Sequence, residues 1–222
     1  MNYNIEKKVE IILREIKSDR KLGYLIDDSI PIPRPFPDRI IGQIKLIILG
    51  QDPTVKKESS RRKITQVLNL DKKGSLKNYL TLICQTLGLS LNENIYATNY
   101  FKNFFVKPPT QIKEIDVFKE FPKFWLPLLK VEISHFPNVP IITLGEPILK
   151  SVIIESTSKK VRDYWGYRSD WKLGIRNEYD HIKPNENHLN RLVFPFPHQP
   201  SIGKQFYREN LKDYISYMRN LM

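Results

Sequence analysis

A chain of 222 residues, 41% hydrophobic and 27% charged, is long enough to bury one sizeable core and too apolar to remain disordered. Its formal net charge of +12, from 36 Lys+Arg against 24 Asp+Glu, fits a polyanionic partner, although a lysine-rich solvated surface gives the same number. A single cysteine excludes a disulfide framework, a zinc ribbon and a four-thiolate cluster, and the four histidines stand at no metal-ligand spacing.

Residues 4–18 put Ile5, Val9, Ile12 and Ile16 on one face, which predicts an amphipathic helix. Prolines then alternate through Ile30–Pro37, forbidding helix and predicting an ordered surface loop. Lys45–Leu49 is a continuous apolar run ending at Gly50, the pattern of a strand buried on both faces of a parallel sheet. Asn94–Thr98, Val139–Gly145 and Leu192–Phe196 read as three further strands. Helical patterns cover 75–88, 117–134, 146–155 and 204–221, and Cys84 reads as a small core hydrophobe within the first of these. Residues 157–190 are charged and aromatic with little periodicity and read as an insertion, in which Trp165 and Trp171 are expected to pack rather than to act. The alternation predicts a single α/β domain over 1–222, a central four-stranded, mostly parallel sheet flanked by helices.

No window reaches the roughly 20 apolar residues of a membrane span, and Met1–Lys8 is polar, unlike a secretory leader. The expectation is an intracellular protein, cytoplasmic or nucleoid-associated, acting as a monomer away from membranes.

In an open parallel sheet, function gathers at the carboxyl ends of the strands. The first predicted strand exits into Gln51-Asp52-Pro53-Thr54, the second into Asn99 and the fourth into Pro197-His198-Gln199-Pro200-Ser201. A carboxylate, an amide and an imidazole thus reach one edge from distant segments. A carboxylate can stabilise an oxocarbenium-like sugar and orient water. A neutral imidazole can donate to an oxyanion, and an amide can read an N–H/C=O edge. Taken singly, each has a plainer use: Asp52 before Pro53 as a turn former, Asn99 as a cap, His198 as a loop histidine.

The run Ile47-Ile48-Leu49-Gly50-Gln51-Asp52-Pro53 resembles the water-activating motif of the uracil-DNA glycosylase superfamily, in the branch whose motif continues GQDPYH. Phe196–Ser201 resembles that family's HPS-type loop, Gly74-Ser75-Leu76-Lys77-Asn78-Tyr79 its PPSL-N-Y segment, and Ile95–Asn99 the strand ending in a base-reading Asn. Ile142–Gly145 is similar to the strand before a second backbone-gripping loop. The resemblance covers about residues 30–220. It implies a uracil-DNA glycosylase-like fold and hydrolysis of the N-glycosidic bond of uracil, or of a related damaged base, flipped out of DNA.

The implied roles follow. Asp52 orients water and stabilises the sugar cation, and His198 holds charge on the leaving base. Asn99 reads the base, with Gln51 and Thr54 lining its pocket. Ser75 and Ser201 touch phosphates, Ile202 stands where the family has an apolar wedge, and the basic Lys204 follows it. No metal or organic cofactor is implied. Thr54-Val55 replaces the family's Tyr-His, so the wall that excludes thymine is smaller, and Lys63–Val67 carries no ring where the family stacks a Phe. Gln199 is inserted before Pro200-Ser201. Lys56, Lys57, Arg61, Arg62, Lys63, Lys72, Lys73 and Lys77 flank the same strand ends and are expected to neutralise phosphates. Without a stacking ring, worth roughly 1–3 kcal/mol per base, single-stranded or mispaired DNA is the expected partner. The rival expectations are a non-catalytic DNA-binding protein on the same fold, a glycosylase for another base such as mismatched thymine, and an unrelated nucleotide-binding α/β protein.

Overall fold

The computed structural model describes residues 2–155, 158–168 and 178–222. In chain order the elements are α1 (Asn2–Ser18), β1 (Ile26–Asp27), β2 (Leu46–Gly50), α2 (Glu58–Arg61), α3 (Ser75–Leu87), α4 (Leu91–Asn94) and β3 (Ile95–Asn99). Then follow β4 (Phe104–Phe105), α5 (Val117–Glu120), α6 (Pro122–Ile133), β5 (Ile141–Leu144), α7 (Glu146–Val152), α8 (Val161–Tyr164), β6 (Val193–Phe196), α9 (Gln199–Ile202) and α10 (Gln205–Arg219).

The four apolar runs form one sheet of order β3-β2-β5-β6, with every pairing parallel. All residues of these strands are buried, as continuous Leu/Ile/Val/Phe runs require when both faces are covered. The chain leaves β2 toward β3, then recrosses to β5 and β6. Right-handed crossovers therefore put α3 on one face and α6 on the other. Helix α10 packs with α3, and α1 with α6. The reversal makes a crevice at the carboxyl ends of β2 and β5, the place where such sheets take ligands.

Several expectations are sharpened. The predicted helix over 117–134 divides into α5 and α6, because Pro122 supplies no backbone N–H and begins a new helix. The helix predicted to reach 155 stops at Val152, since Ile153 is extended and bridges Asn187. The Ile30–Pro37 segment is more than a surface loop. Phe36 is buried, donates its N–H to Ala97 O at 2.9 Å and accepts from Ala97 N at 2.7 Å, so it covers the free edge of β3. Cys84 lies fully buried, its thiol pushed up to about 12 by desolvation, an inert core group. Trp165 is also fully buried, donating Nε1–H to Pro195 O at 2.7 Å and stacking on Tyr214 at 4.4 Å. Trp171 lies outside the described residues.

Arg61 is corrected outright. It was expected to face phosphate, yet it is buried. Its guanidinium donates to Val55 O at 3.0 Å, Phe105 O at 3.0 Å and Val106 O at 2.9 Å, with Asp27 at 3.7 Å. The planar fork of five donors fastens the β2 exit loop to the β1–β4 ribbon, a task a lysine could not do. Lys72 and Lys77 likewise donate to the loop carbonyls of Lys63 and Leu70. Lys56, Lys57, Arg62, Lys63 and Lys73 remain exposed. Arg61→Ala should cost about 3 kcal/mol, because it strands buried carbonyls and Asp27. Chemical denaturation checks this, and a change below about 1 kcal/mol would contradict the anchoring role.

Candidate active site

At the carboxyl edge of the sheet a cavity of about 630 Å³ is walled by the exits of β2, β5 and β6. Gln51, Asp52, Thr54, His198, Ser201 and Lys204 all line it. Six positions singled out from separate segments of sequence thus meet on one space.

Asp52 is half-buried and held at both oxygens. Gln51 Nε2 donates to Oδ1 at 2.8 Å and the Thr54 backbone N–H donates to Oδ2 at 2.8 Å. The Gln51 carbonyl accepts from Phe101 N at 2.9 Å, while its side chain grips Asp52. Desolvation outweighs these hydrogen bonds and the nearby Arg61 charge, and pushes the Asp52 carboxyl up to about 6. It is thus mostly ionised at pH 7 yet close to its own titration, so it can take up a proton there.

His198 begins the turn after β6. Its carbonyl accepts from Ser201 N at 2.7 Å, and the preceding Pro197 carbonyl accepts from the Tyr79 hydroxyl at 3.3 Å, which ties this turn to α3. Gly145 N donates to Phe196 O at 2.8 Å, joining the ends of β5 and β6 beside it. Gly145 itself has φ +95°, a conformation that glycine alone adopts without strain. Desolvation lowers the His198 pKa, so the imidazole is neutral at pH 7. No hydrogen bond to its ring is formed among the described residues, which leaves an N–H available to a ligand.

Thr54 is a fixed wall. Its Oγ1 accepts the Phe105 N–H at 2.8 Å, turning the hydroxyl away from free rotation into the cavity.

Asn99 is placed differently from the other candidates. It is buried, and its Oδ1 has no hydrogen-bond partner. It lies directly behind Gly50, where an added Cβ would come within 2.5 Å of Asn99 Oδ1 and 2.7 Å of Leu68 Cδ2. Leu68, at φ +58°, lines the cavity. Asn99 Oδ1 and Leu68 Cδ2 both close on the position a side chain at residue 50 would take, so only glycine fits there.

Ser75 is exposed at the first turn of α3, outside the cavity wall, whereas its neighbour Leu76 is on it. Ile202 is half-buried and packs against the edge of the core. Sequence reasoning missed Leu68, whose left-handed backbone has no signal beyond the adjacent Asn69, also at φ +52°. It gave no site role to Glu146, Arg162, Tyr167 and Tyr207, which line the same cavity from α7, from α8 and the segment after it, and from the start of α10. No group of three or more His, Cys, Asp or Glu side chains able to hold a metal is assembled among the described residues, and none of their helices is long and apolar enough to cross a membrane. Compared with protein-family models and with curated proteins, the chain matches none.

Proposed function

We propose that the protein is a DNA glycosylase of the uracil-DNA glycosylase type, which hydrolyses the N-glycosidic bond of uracil, or of a related base, flipped into this cavity. The observation that carries the reading is the pairing of Asp52 and His198 on one cavity. A carboxylate raised to about 6 and an imidazole lowered into its neutral form reach the same space from β2 and β6. Environments that push two titratable groups into complementary states are the usual mark of acid–base assignment.

In the proposed reaction the base–sugar bond breaks and its electron pair leaves with the base. Asp52 stabilises the oxocarbenium-like sugar, orients a water against C1′ and takes its proton. The His198 N–H donates to the carbonyl oxygen on which the base carries negative charge. The water oxygen bonds C1′ to give the abasic site, and the proton taken by Asp52 passes through solvent to the base anion, which leaves as the free base. Exposed Lys56, Lys57, Arg62 and Lys63 beside the β2 exit supply charge for the DNA backbone.

A second reading, a glycosylase for a bulkier pyrimidine such as mismatched thymine, is favoured by one feature. Thr54 is small and its hydroxyl is tied to Phe105, so it leaves room where a larger residue would close the pocket.

The test is alkaline cleavage of an end-labelled single strand carrying one uracil, run beside the same strand with other bases and a G·T duplex. Wild-type protein should cut, and His198→Ala should lose about 10²–10³-fold, the size of a lost oxyanion donor. Binding without any cleavage across all substrates would replace the enzymatic reading with that of a DNA-binding protein.

A further inference from the structure

The proposed excision chemistry uses Asp52 at the β2 exit and His198 at the end of β6. The side of the cavity beyond β6 is built from the aromatic segment around α8 and from the first turn of α10. Three cations line it: Lys160, Arg162 and Lys204, all exposed. Arg162 is held in place, its guanidinium carbon lying 4.6 Å from the centre of the Tyr167 ring. That ring stands edge-on to Phe206 at 5.0 Å and 87°, and Phe206 meets Tyr207 at 5.4 Å. Behind α8, Trp165 is sunk in the core and fixed to Pro195, while Lys160 N–H donates to Asp163 at 2.7 Å. Stacking on an aromatic face leaves the guanidinium edge open, and this preorganisation is what anion recognition by arginine requires. The acidic groups nearby are Glu146 on the cavity wall and Asp163, whose carboxylate lies 3.8 Å from Arg162 Nε.

Lys204 immediately precedes α10, whose first turn presents Phe206 and Tyr207 to the same space. The partial positive end of this 15-residue helix adds to the three side chains. Two strand spacings, about 10 Å, separate the β2 exit from β6, so a ligand that reaches both Asp52 and these cations spans the cavity.

We propose that Lys160, Arg162 and Lys204 form a phosphate-binding wall that takes a phosphate of the nucleotide whose base lies toward Asp52. The inference rests on the base-excision reading for the orientation of the ligand. It adds Lys160 and Arg162, from a part of the chain outside the motifs that carry the resemblance, to the already singled-out Lys204. The phosphate has two sources, the diester of a DNA strand or the monoester of a free nucleotide.

The test compares wild type, the double variant Lys160→Gln/Arg162→Gln and the surface control Lys130→Gln by fluorescence anisotropy on a labelled uracil-containing single strand across a salt series. Thermal melts confirm that all three are folded. The double variant should bind on the order of tenfold more weakly at low salt, and its log K against log[salt] slope should flatten by about 0.7, one phosphate's share on a single strand. The control should match wild type. A parallel thermal-shift arm compares dUMP with deoxyuridine. Greater protection by dUMP, lost in the double variant, assigns the wall to a free nucleotide's phosphate. A flattened slope with no such difference assigns it to the strand. Unchanged slope and affinity in the double variant overturn the proposal, as does a wild type that binds neither probe. A flattened slope in a protein that excises no base would sink the enzymatic reading and leave the phosphate wall standing.

Discussion

Asp52→Asn should remove about 10²–10⁴-fold of the excision rate, the range of a lost general base, and at the same time make the folded protein more stable at pH 8. The two effects have one cause. Burial raises the carboxyl to about 6 from 3.8, so the ionised form is less comfortable in the folded chain than in the unfolded one. For a carboxyl raised in this way, its contribution to stability is fully present below the unfolded value and is lost as pH climbs through the folded one. A shift of that size corresponds to at most about 3 kcal/mol at 1.36 kcal/mol per unit, and less where solvent reaches the half-buried group. The amide carries no such penalty. Its oxygen can still accept from Thr54 N–H, and Gln51 can turn its own amide to meet the new nitrogen. The variant should therefore melt several degrees above wild type at pH 8, at about 2–4 °C for each kcal/mol, and the gap should close by pH 4. The wild-type rate should rise with pH through about 6 and level above it. Equal melting temperatures at pH 8, or a rate indifferent to pH between 5 and 7, would show that this carboxylate is not the strained, titrating group described.

That result would also place a cost of function in a region the sequence makes easy to read. The four sheet strands are legible because a strand buried on both faces must be continuously apolar, and Leu46–Gly50, Ile95–Asn99, Ile141–Leu144 and Val193–Phe196 are. Parallel strands in turn align their carboxyl ends, so the convergence of Asp52 and His198 follows from strand identity alone. What escaped the sequence depends on contacts between distant segments. Arg61 sits in a run of basic residues and has the composition of a phosphate ligand. Only the unpaired carbonyls of Phe105 and Val106, more than forty positions away, turn it inward. The split between α5 and α6 was readable at Pro122 and was smoothed over by the apolar period on either side. Leu68 was unreadable: a bulky residue at positive φ violates its own local preference. Local rules fail here at the cavity itself, where a functional site is expected to override them.

The second large effect concerns that failure. Asn99→Ala should abolish at least about 10² of the excision rate while leaving the melting temperature nearly unchanged. A structural asparagine in a core is hydrogen-bonded, and its removal strands its partners at about 1–3 kcal/mol. The Asn99 side chain makes no hydrogen bond among the described residues, and its buried Oδ1 has no partner. Deleting it relieves an unmet acceptor and opens a small void, two terms of opposite sign and similar size. An unsatisfied amide retained beside a cavity is most simply a group kept for a ligand, and Leu68 Cδ2 crowds the same space next to Gly50. Holding a leucine at φ +58° costs about 1–2 kcal/mol, so this side chain is already biased to leave. Leu68→Gly should thus raise kcat/KM in the native chain by freeing the space beside the amide. Placed on top of Asn99→Ala it should do nothing, since there is then no amide to reach, and the double-mutant cycle reads the coupling directly. If Asn99→Ala instead lowers the melting temperature by many degrees, or if Leu68→Gly acts equally with and without Asn99, the amide is a packing residue and the base must be read by other groups on the wall.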